Sequence, residues 1–599
     1  MSDSSRRRLV LLVFMQGLVV ILVIAQLIRL QIIEHKRLSD QAIQDHSRRQ
    51  VLKAPRGQIF DRNGDLLVGN STRYEIRTDP GSLSSVDRTV NSLSSALGMP
   101  LGDLRVALGK SQTNVLVATE LPMTVGRAID KLGIWAVSAT PYWRRAYPEG
   151  SLAAHVLGFV TVEEKGYYGV EGYYEASLRG QKEEVPVVVD VWLGLSPFDF
   201  RHIPNPRPGT DLVLTIDRTI QALTEGELAR ALAETGAQSG TIIVLDPHTG
   251  DILAMASLPA FDPNAYPTTP ASQFVNPAIS MAYEPGSVFK ILTMASALQS
   301  GTVQPDSVYN DMGCSEMGGQ VICNWDRQGH GVSNMVDLLA YSSNVGAATL
   351  STRMGAQTFY RHLQAFGIGT PSGVDLQGEA WGSLRVQSDA DWHESDLATH
   401  AFGQGLSATP LQMVVAVAAV ANDGIMMRPR VVAQMINRSG DNDLDLKHSQ
   451  AKISSGDFLP GSVEEAPGDQ VETARPAILG SPISAQVAHT LVEMLAQAVE
   501  REVPQARVPG YRIAGKTGTA QIPVPGGYYD DPWTIASFIG FGPVRDPQFV
   551  ILVKLDRPTI SPYGSTTAAP VFQRLAARLF ILRGIAPDDN WELASLGAR

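Results

Sequence analysis

The stretch YEPGSVFKIL, residues 283–292, places a hydroxyl and an amine one turn apart at the start of an apolar helix. Pro285 and Gly286 are typical of a helix entry, and Ser287 and Lys290 follow them. Residues i and i+3 share a helix face, with β-carbons about 5–6 Å apart, so the two side chains can meet. A neutral lysine can take the proton of a serine hydroxyl, and the positive end of a helix dipole favours both the neutral amine and a developing oxyanion. The pattern therefore places Ser287 and Lys290 where they could act as a nucleophile and its base.

Taken alone, Ser-x-x-Lys is weak evidence, because a chain of this size and composition should contain about one such match by chance. A second match, Ser449 to Lys452, lies in a polar segment with no apolar helix behind it. On this motif alone, the better interpretation is that Ser287 and Lys290 have structural roles.

Two further segments change that balance. YSSNVG contains Ser342–Asn344 at a break between two helical stretches, and AGKTGTA contains Lys516–Thr519 on a predicted strand. Together with Ser287 and Lys290 they form Ser-x-x-Lys, Ser-x-Asn and Lys-Thr-Gly, in that order, at a helix start, a loop and an edge strand. Their joint occurrence by chance is far rarer than any single match. His248–Gly250 is similar to the third motif, but it falls at the turn of a predicted hairpin, where we expect a structural role.

Each of these residues suits one step of acyl transfer. Ser342 can relay a proton to a leaving amine, and Asn344 can hold both the substrate amide and the lysine. Lys516 adds a positive charge, which should lower the pKa of Lys290 and attract a substrate carboxylate.

The remaining members of the third motif suit substrate binding. The hydroxyls of Thr517 and Thr519 can donate to a carboxylate, and Gly518 lets the strand backbone approach the substrate closely. The backbone N–H groups of Ser287 and Thr519 are the predicted oxyanion hole, and each such donor contributes about 10²–10³ in rate.

Composition narrows the function class further. The chain has 599 residues, which predicts three or four domain-sized units or one large domain with appendages. Its net charge of −11 and its lack of a basic stripe argue against a nucleic-acid partner. Two cysteines give no disulfide framework and no CxxC metal-binding pattern.

The N-terminus predicts a membrane anchor. Leu9–Ile28 is 20 residues without a charge, enough for a helix to cross a hydrocarbon layer of about 30 Å. Arg6–Arg8 precede it, which predicts a cytoplasmic N-terminus and an extracytoplasmic body. A cleaved signal peptide is the alternative, but its apolar region would be about 7–15 residues and a small-x-small site would follow. Gln16, Gly17 and Gln26 are either tolerated polar positions or a face that packs on another membrane protein.

The order of the predicted helices and strands along the sequence predicts an α+β protein. It has one transmembrane helix, an elongated mixed pedestal and a domain built on an antiparallel sheet packed by helices. The expected segments are a cytoplasmic tail 1–8, a transmembrane helix 9–28, a stalk and pedestal 29–205, a catalytic domain 206–585 with a mobile insert 438–475, and a C-terminal tail 586–599. Residues 29–53 have the spacing of a helical stalk, and the Pro-rich Arg201–Asp211 marks the main boundary.

Local patterns place the main elements. Hairpins are predicted at Ala54–Asn70 and Gly240–Ser257, and late strands at Tyr511–Ala520, Thr534–Phe541 and Phe549–Leu555. Helices are predicted at Ser287–Gln299, Val345–Met354 and Ala568–Leu582.

The three motifs, with several flanking segments, resemble those of a class B penicillin-binding protein, a bacterial cell-wall D,D-transpeptidase. The resemblance runs from about Arg56 to Asp556 and includes RGQIFDRNGDLL, YPEGSLAAHVLGFV and GVEGYYEASLRG of the pedestal and DPHTGDILAMAS of the catalytic domain. The polar insert departs most from the family pattern. Class A relatives carry a glycosyltransferase domain before the pedestal, for which we expect no room here. YEPGSVFK, SSNVGAATL and FGQGLSATPLQ (Phe402–Gln412) are more similar to the septal, division-type branch than to the elongation-type branch.

The resemblance implies a substrate, an intermediate and partners. The substrate is the D-Ala-D-Ala end of a peptidoglycan stem peptide, Ser287 forms the acyl-enzyme, and an amine from a neighbouring stem resolves it into a cross-link. β-Lactams acylate the same serine and leave slowly. A SEDS-family membrane glycosyltransferase is the implied partner, through the transmembrane helix and the pedestal, together with other divisome or elongasome membrane proteins. The implied location is the bacterial plasma membrane, and the resemblance implies no metal or organic cofactor.

Other functions make different demands on the sequence. A β-lactamase needs a deacylating glutamate, usually in Glu-x-x-Leu-Asn, and the chain has no Leu-Asn pair. A D,D-carboxypeptidase would hydrolyse the same intermediate, and product analysis separates the two. A non-enzymatic β-lactam sensor would carry a signalling module, which the short segment before the membrane helix does not provide. A division scaffold would not need all three motifs.

Cys314 and Cys323 lie on either side of SEMGGQVI, which is typical of a hairpin. In an oxidising compartment they could form a disulfide across it; otherwise they are two small buried apolar residues.

Overall fold

In a computed structural model, the chain is described over residues 3–34, 36–37, 47–109, 114–190, 194–195, 206–438, 469–522 and 533–588. It divides into two compact units. The first comprises Met1–Pro55 and Gly180–Pro208, and the second comprises Arg56–Arg179 and Gly209–Arg599. Most of the predicted pedestal therefore lies in one unit with the predicted catalytic domain.

The first unit contains the N-terminal helix, Asp3–Ile28, which a π-helical turn at Arg29–Ile33 extends. The stretch Val10–Ile33 is long and apolar enough to cross a membrane, and no other helix in the described ranges meets that test. The three-stranded sheet of this unit has the order Ser47–Lys53, Lys182–Asp190, Gly194–Leu195.

The prediction of a helical stalk over residues 29–53 is wrong at its C-terminal end. Ser47–Lys53 is a strand, paired antiparallel with Lys182–Asp190. Its partner lies more than a hundred residues away in the chain, so the local spacing of polar residues carries no information about the pairing.

The second unit holds a seven-stranded sheet that joins the predicted pedestal to the catalytic region. Its strands run in the order Gln470–Thr473, Val432–Asn437, Asp211–Leu214, Ile59–Phe60, Leu66–Thr78 and Val115–Pro122, and Val137–Ala146 also pairs with Leu66–Thr78. Asp211–Leu214 runs parallel to Ile59–Phe60. The helices of this part are Val86–Leu97, Leu101–Leu108, Met123–Lys131, Ala154–Leu157, Gly169–Tyr173 and Glu175–Leu178.

An antiparallel five-stranded sheet forms the centre of the catalytic region, as the sequence predicts. Its order is Ile252–Leu258, Ser239–Leu245, Phe549–Asp556, Thr534–Gly542 and Ala514–Gln521. Side chains alternate along each strand, so the two faces bury different residues. Ile242 and Val244 face one core, and Ile243 and Leu245 face the other.

Helices cover both faces of this sheet. The face of Ile242 packs against Arg218–Thr235 and Gly564–Leu582, which come from the two ends of the region. The other face packs against the remaining helices, Pro277–Ser280, Lys290–Gln299, Met335–Tyr341, Asn344–Met354, Ala356–Ala365, Glu394–His400, Pro410–Ala421 and Ala485–Glu502. Short 3-10 turns are Pro80–Ser82, Pro263–Thr268, Ala271–Gln273, Gly286–Phe289 and Pro504–Ala506. Two-stranded pairs are Phe159–Val160 with Gly166–Tyr167, Val308–Asp311 with Gly331–Asn334, Cys314–Met317 with Gln320–Cys323, and Met426–Met427 with Ile478–Gly480.

Most of the predicted mobile insert, 439–468 of 438–475, lies outside the described residues, as does 589–599 of the predicted tail. The C-terminal end of the insert, Gln470–Thr473, is an ordered strand that pairs with Val432–Asn437. This part of the segment therefore belongs to the fold and not to the insert.

Candidate active site

The predicted nucleophile lies in a tight turn. Gly286–Phe289 forms a 3-10 turn, and Lys290 is the first residue of the following α-helix. Gly286 has a φ of +61°, and a Cβ at this position would lie 3.0 Å from the Cβ of Ala520. Glycine is therefore required both for the turn conformation and for close contact with the Ala514–Gln521 strand. Ser287 is half-buried between these elements.

The amine of Lys290 lies at the point where two of the motifs meet. Its Nζ is 3.1 Å from the Oγ of Ser287 and 3.3 Å from the Oγ of Ser342. It donates to the Oδ1 of Asn344 at 2.7 Å and also to the backbone carbonyl of Ser342. The carbonyl and the amide oxygen are acceptors only, so they take the two protons of a neutral amine. The lone pair is then available to the hydroxyl of Ser287.

The surroundings of Lys290 favour that neutral state. The side chain is fully buried, and burial lowers its pKa well below the usual value for lysine. The charge of Lys516 lowers this pKa further, whereas Asp311 opposes the shift. Burial is the larger cause because a lone ammonium loses its hydration there.

The Ser-x-Asn motif begins at a helix end and continues into the next helix. Ser342 caps the Met335–Tyr341 helix in the left-handed conformation, with a φ of 58°. Ser343, the middle residue, caps the Asn344–Met354 helix, and its Oγ accepts from the N–H of Gly346 at 2.9 Å. The side chain of Ser343 thus supports the loop, while those of Ser342 and Asn344 contact Lys290.

Two buried residues that the sequence analysis did not identify hold this loop. The hydroxyl of Ser343 donates to Asp311 at 2.7 Å. The Oδ1 of Asn324 accepts from the backbone N–H groups of Asn344 at 2.9 Å and Val345 at 3.2 Å. Asn324 in turn donates to both carboxylate oxygens of Asp311. In the Val308–Asp311 strand, Asp311 shares the buried face of Tyr309, and this alternation is the one sequence signal that could have located it.

The amide of Asn344 is oriented by the adjacent hairpin. Its Nδ2 donates to the backbone carbonyl of Cys323 at 2.9 Å, which leaves Oδ1 facing Lys290. Cys314 and Cys323 are directly opposed in this hairpin, and a disulfide joins them.

The third motif lies on the edge strand of the five-stranded sheet, as predicted. Lys516 is buried, and burial lowers its pKa to about 7. Its amine donates to the hydroxyl of Thr517 at 3.3 Å, and the hydroxyl of Thr519 accepts from the N–H of Gly564 at 3.3 Å. Because both hydroxyl oxygens accept these bonds, both hydroxyl protons can be donated to a ligand carboxylate.

Gly518 allows the strand to lie against the nucleophile turn. A Cβ at this position would lie 2.4 Å from the Oγ of Ser537, 3.0 Å from Val288 and 3.2 Å from the carbonyl oxygen of Pro285. All three distances are shorter than normal contacts, so only glycine fits without a shift of the strand. The backbone of this strand therefore lies against the turn that carries Ser287.

Neither of the other two sequence matches is seen at this site. His248–Gly250 is the turn between Ser239–Leu245 and Ile252–Leu258, at the opposite side of the sheet from Lys516. Ser449 and Lys452 lie outside the described residues. Among the residues that are described, no group of three or more His, Cys, Asp or Glu side chains could hold a metal ion.

The site combines a hydroxyl beside a buried, neutral amine with a second buried amine and two hydroxyl donors on an edge strand. Such an arrangement suits nucleophilic attack on the carbonyl of a substrate that carries a carboxylate.

Comparison with known proteins agrees with this chemistry. Residues 240–577 match the penicillin-binding protein transpeptidase domain, and residues 51–214 match the penicillin-binding protein dimerisation domain. The chain is 31% identical to stage V sporulation protein D of Bacillus subtilis, over 98% of this chain and 88% of the relative. It is 32% identical to penicillin-binding protein PbpB of Mycolicibacterium smegmatis, over 96% of this chain and 90% of the relative.

Solved structures show the same architecture. Penicillin-binding protein 3 of Mycobacterium tuberculosis, in complex with aztreonam, is 29% identical and superposes with a TM-score of 0.67. The match covers 90% of this chain and 98% of that one. The same protein in complex with ampicillin superposes with a TM-score of 0.66.

Proposed function

Because the chain belongs to the class B penicillin-binding proteins, we propose that it is a peptidoglycan D,D-transpeptidase that works through an acyl-enzyme on Ser287. The observation that carries this proposal is the Nζ of Lys290, 3.1 Å from the Oγ of Ser287 in a buried site. A serine hydroxyl becomes a useful nucleophile when a neighbouring base accepts its proton.

The proposed reaction has two halves. The proton of Ser287 passes to Lys290 while Oγ bonds to the carbonyl carbon of the penultimate D-Ala. The tetrahedral oxyanion is held by the backbone N–H groups of Ser287 and Thr519. Lys290 returns the proton through Ser342 to the departing D-Ala amine, and the C–N bond breaks. In the second half, the amine of another stem peptide attacks the ester, loses a proton along the same route and releases Ser287.

The third motif binds the donor in this proposal. Lys516, Thr517 and Thr519 receive its terminal carboxylate, and Asn344 holds its amide. β-Lactams carry an equivalent carboxylate and carbonyl, so they acylate Ser287 and remain bound as slowly hydrolysed esters. The comparison structures with bound aztreonam and ampicillin support this part.

The proposed setting is the bacterial plasma membrane. Val10–Ile33 would cross it once, with the N-terminus in the cytoplasm because of Arg6–Arg8. The stalk and pedestal would extend to residue 205 and the catalytic domain from 206 to 585. The dimerisation-domain match ends at residue 214 and the transpeptidase-domain match begins at residue 240, which supports a division in this region.

We place the protein in septal wall synthesis, beside a SEDS-family glycosyltransferase, on the resemblance of Tyr283–Lys290, Ser342–Leu350 and Phe402–Gln412 to the division-type branch. A fluorescent fusion should concentrate at the septum and co-purify with that partner. A fusion distributed along the side wall would indicate the elongation-type role instead.

The experiment for the chemistry is covalent labelling of the purified ectodomain by a fluorescent penicillin. The wild type should carry one stable label per molecule, Ser287→Ala should carry none, and Ser449→Ala, the matched control in the second Ser-x-x-Lys, should label normally. Equal labelling of Ser287→Ala would overturn the assignment of the nucleophile. Rapid loss of the label would indicate a β-lactamase, and a folded wild type that takes no label even with its partner would indicate a sensor or a scaffold.

A second assay separates transfer from hydrolysis. A synthetic stem peptide ending in D-Ala-D-Ala is supplied with an acceptor amine, and the products are separated by mass. A cross-linked product supports the transpeptidase, whereas trimmed peptide alone supports the D,D-carboxypeptidase.

A further inference from the structure

The segment that leads into Ser287 is paired with a second segment, Phe402–Ala408. The N–H of Tyr283 donates to the carbonyl of Ala408 at 3.0 Å, and the reciprocal bond is also 3.0 Å. The N–H of Gly286 donates to the carbonyl of Gly403 at 3.0 Å. These bonds fix the backbone on which the nucleophile turn begins.

The paired segment leaves little room for movement. A Cβ at Gly403 would lie 2.4 Å from the carbonyl oxygen of Gly286 and 2.8 Å from the Cβ of Phe289. The N–H of Gly405 donates to the carboxylate of Glu284 at 3.2 Å. A displacement of residues 403–405 would therefore be transmitted directly to the turn that carries Ser287.

A buried histidine, His400, contacts the Phe402–Ala408 segment at Gly405. The ring of His400 is fully buried, and its Nε2 lies 3.1 Å from the carbonyl oxygen of Gly405. A carbonyl only accepts, so Nε2 carries the proton and Nδ1 is the acceptor. Nδ1 lies 3.2 Å from the hydroxyl of Tyr360, whose oxygen accepts from the indole N–H of Trp392 at 2.8 Å. In this series of hydrogen bonds from Trp392 to Gly405, every polar atom has a partner only while the imidazole is neutral.

The environment keeps the imidazole neutral. Burial lowers the pKa of His400 to about 4, although Asp396 and the carbonyl of Gly405 act in the opposite direction. Arg385 also donates to the carbonyl of Gly405, at 3.3 Å, and pairs with Asp396. His400 is thus one of two donors to the same carbonyl, and the one that is fully enclosed.

We propose that His400 is a positioning residue for the nucleophile: its Nε2–H fixes the carbonyl of Gly405, and through the Gly403–Gly405 segment it fixes the backbone of Ser287 against Lys290 and the edge strand. The proposal rests on the proposed acylation of Ser287. It requires a donor at the Nε2 position, and it does not require a change of protonation at His400.

Two substitutions of similar side-chain volume test the requirement for a donor. The amide nitrogen of glutamine can reach the position of Nε2, whereas leucine fills a similar volume with no donor. The rate constant for penicillin acylation, the non-covalent affinity and the final label per molecule are measured separately. His400→Leu should lower the acylation rate constant about tenfold or more, because small misplacements of a nucleophile have large effects on rate. Its affinity and its final label should stay close to those of the wild type, and His400→Gln should stay within about threefold of the wild-type rate.

The control is His362→Leu, the same substitution at a partly exposed histidine in the Ala356–Ala365 helix; it should acylate as the wild type does. If His400→Leu acylates at the wild-type rate, His400 does not position Ser287. If its final label falls while the labelled fraction reacts at the normal rate, the role is structural only. If His400→Gln acylates as slowly as His400→Leu, the loss of rate is not caused by the loss of the hydrogen-bond donor. Failure of the proposed function itself would be seen separately, as labelling of Ser287→Ala.

Discussion

Lys290 donates to the amide oxygen of Asn344 at 2.7 Å, and this bond joins two motifs that are 54 residues apart in the chain. The amide nitrogen of Asn344 is committed to the carbonyl of Cys323, so the side chain cannot turn over without losing both bonds. The neutral acceptor beside the amine matters, because a carboxylate at the same place would stabilise the ammonium form.

The first prediction concerns that acceptor. Asn344→Asp should raise the pKa of Lys290 and slow penicillin acylation at neutral pH by about 10²-fold, since less of the base is neutral. Relative to the wild type at the same pH, part of the rate should return as the pH rises. Asn344→Ala, the control, should be slow at every pH because it removes the contact without adding charge. The measurement is the second-order acylation constant from about pH 6 to pH 10; coincident profiles for the two variants would contradict the prediction.

The second prediction is a bell-shaped pH profile for the wild type. Acylation needs a neutral Lys290, so the rate should fall on the acid side as the pH drops through its lowered pKa. Carboxylate binding needs a charged Lys516, whose pKa is lowered to about 7, so the rate should also fall on the alkaline side. Lys516→Arg keeps its charge at all accessible pH values and should lose the alkaline limb. An unchanged alkaline limb in Lys516→Arg would assign it to another group.

The third prediction concerns the close contact between Gly518 of the edge strand and Ser537 of the neighbouring strand. Gly518→Ala should slow acylation about 10²-fold, because the new Cβ would push the strand away from the nucleophile turn. Ser537→Ala removes the nearest obstruction, so the double variant should recover part of that loss but not all, since Val288 and Pro285 remain close.

Ser537→Ala by itself is the control for that experiment. The buried Oγ of Ser537 has no hydrogen-bond partner in the described part of the chain. Its removal should leave the free energy of unfolding unchanged or raise it by about 1 kcal/mol. A double variant no faster than Gly518→Ala would show that the steric explanation is wrong.

Much of the active site could be predicted from the sequence because its contacts are local or follow from the three motifs. The Ser287–Lys290 contact lies within one helical turn, and the burial that neutralises Lys290 follows from the apolar residues around it. The edge position of Lys516 follows from the three late strands. These expectations depend on the periodicity of apolar residues and on the spacing of the motif residues, both of which can be seen in the sequence.

The supporting residues could not be predicted, because they are polar side chains buried by distant parts of the chain. Asn324 and His400 have no spacing that marks them, and the alternation with Tyr309 marks Asp311 only as a buried position. Each acquires its role only when separate parts of the chain pack around it. The parallel pairing of Asp211–Leu214 with Ile59–Phe60 is non-local in the same way. A short apolar segment in the sequence predicts a strand, but it does not predict which strand it pairs with in the sheet.

The last prediction concerns Glu171, a charged residue that is also buried by distant parts of the chain. Its carboxylate is fully buried and pairs with Arg56 and Arg145, each at 2.6 Å. Glu171→Ala would leave two buried guanidinium groups without this partner, and it should lower the free energy of unfolding by about 3–5 kcal/mol. Asp87→Ala breaks an exposed pair with Arg105 and should cost about 1 kcal/mol or less. Denaturant unfolding of the ectodomain gives both values. The acylation rate per folded molecule should not change in either variant, because neither carboxylate contacts Ser287 or Lys290; a slower rate in folded Glu171→Ala would instead show that the pedestal controls the site.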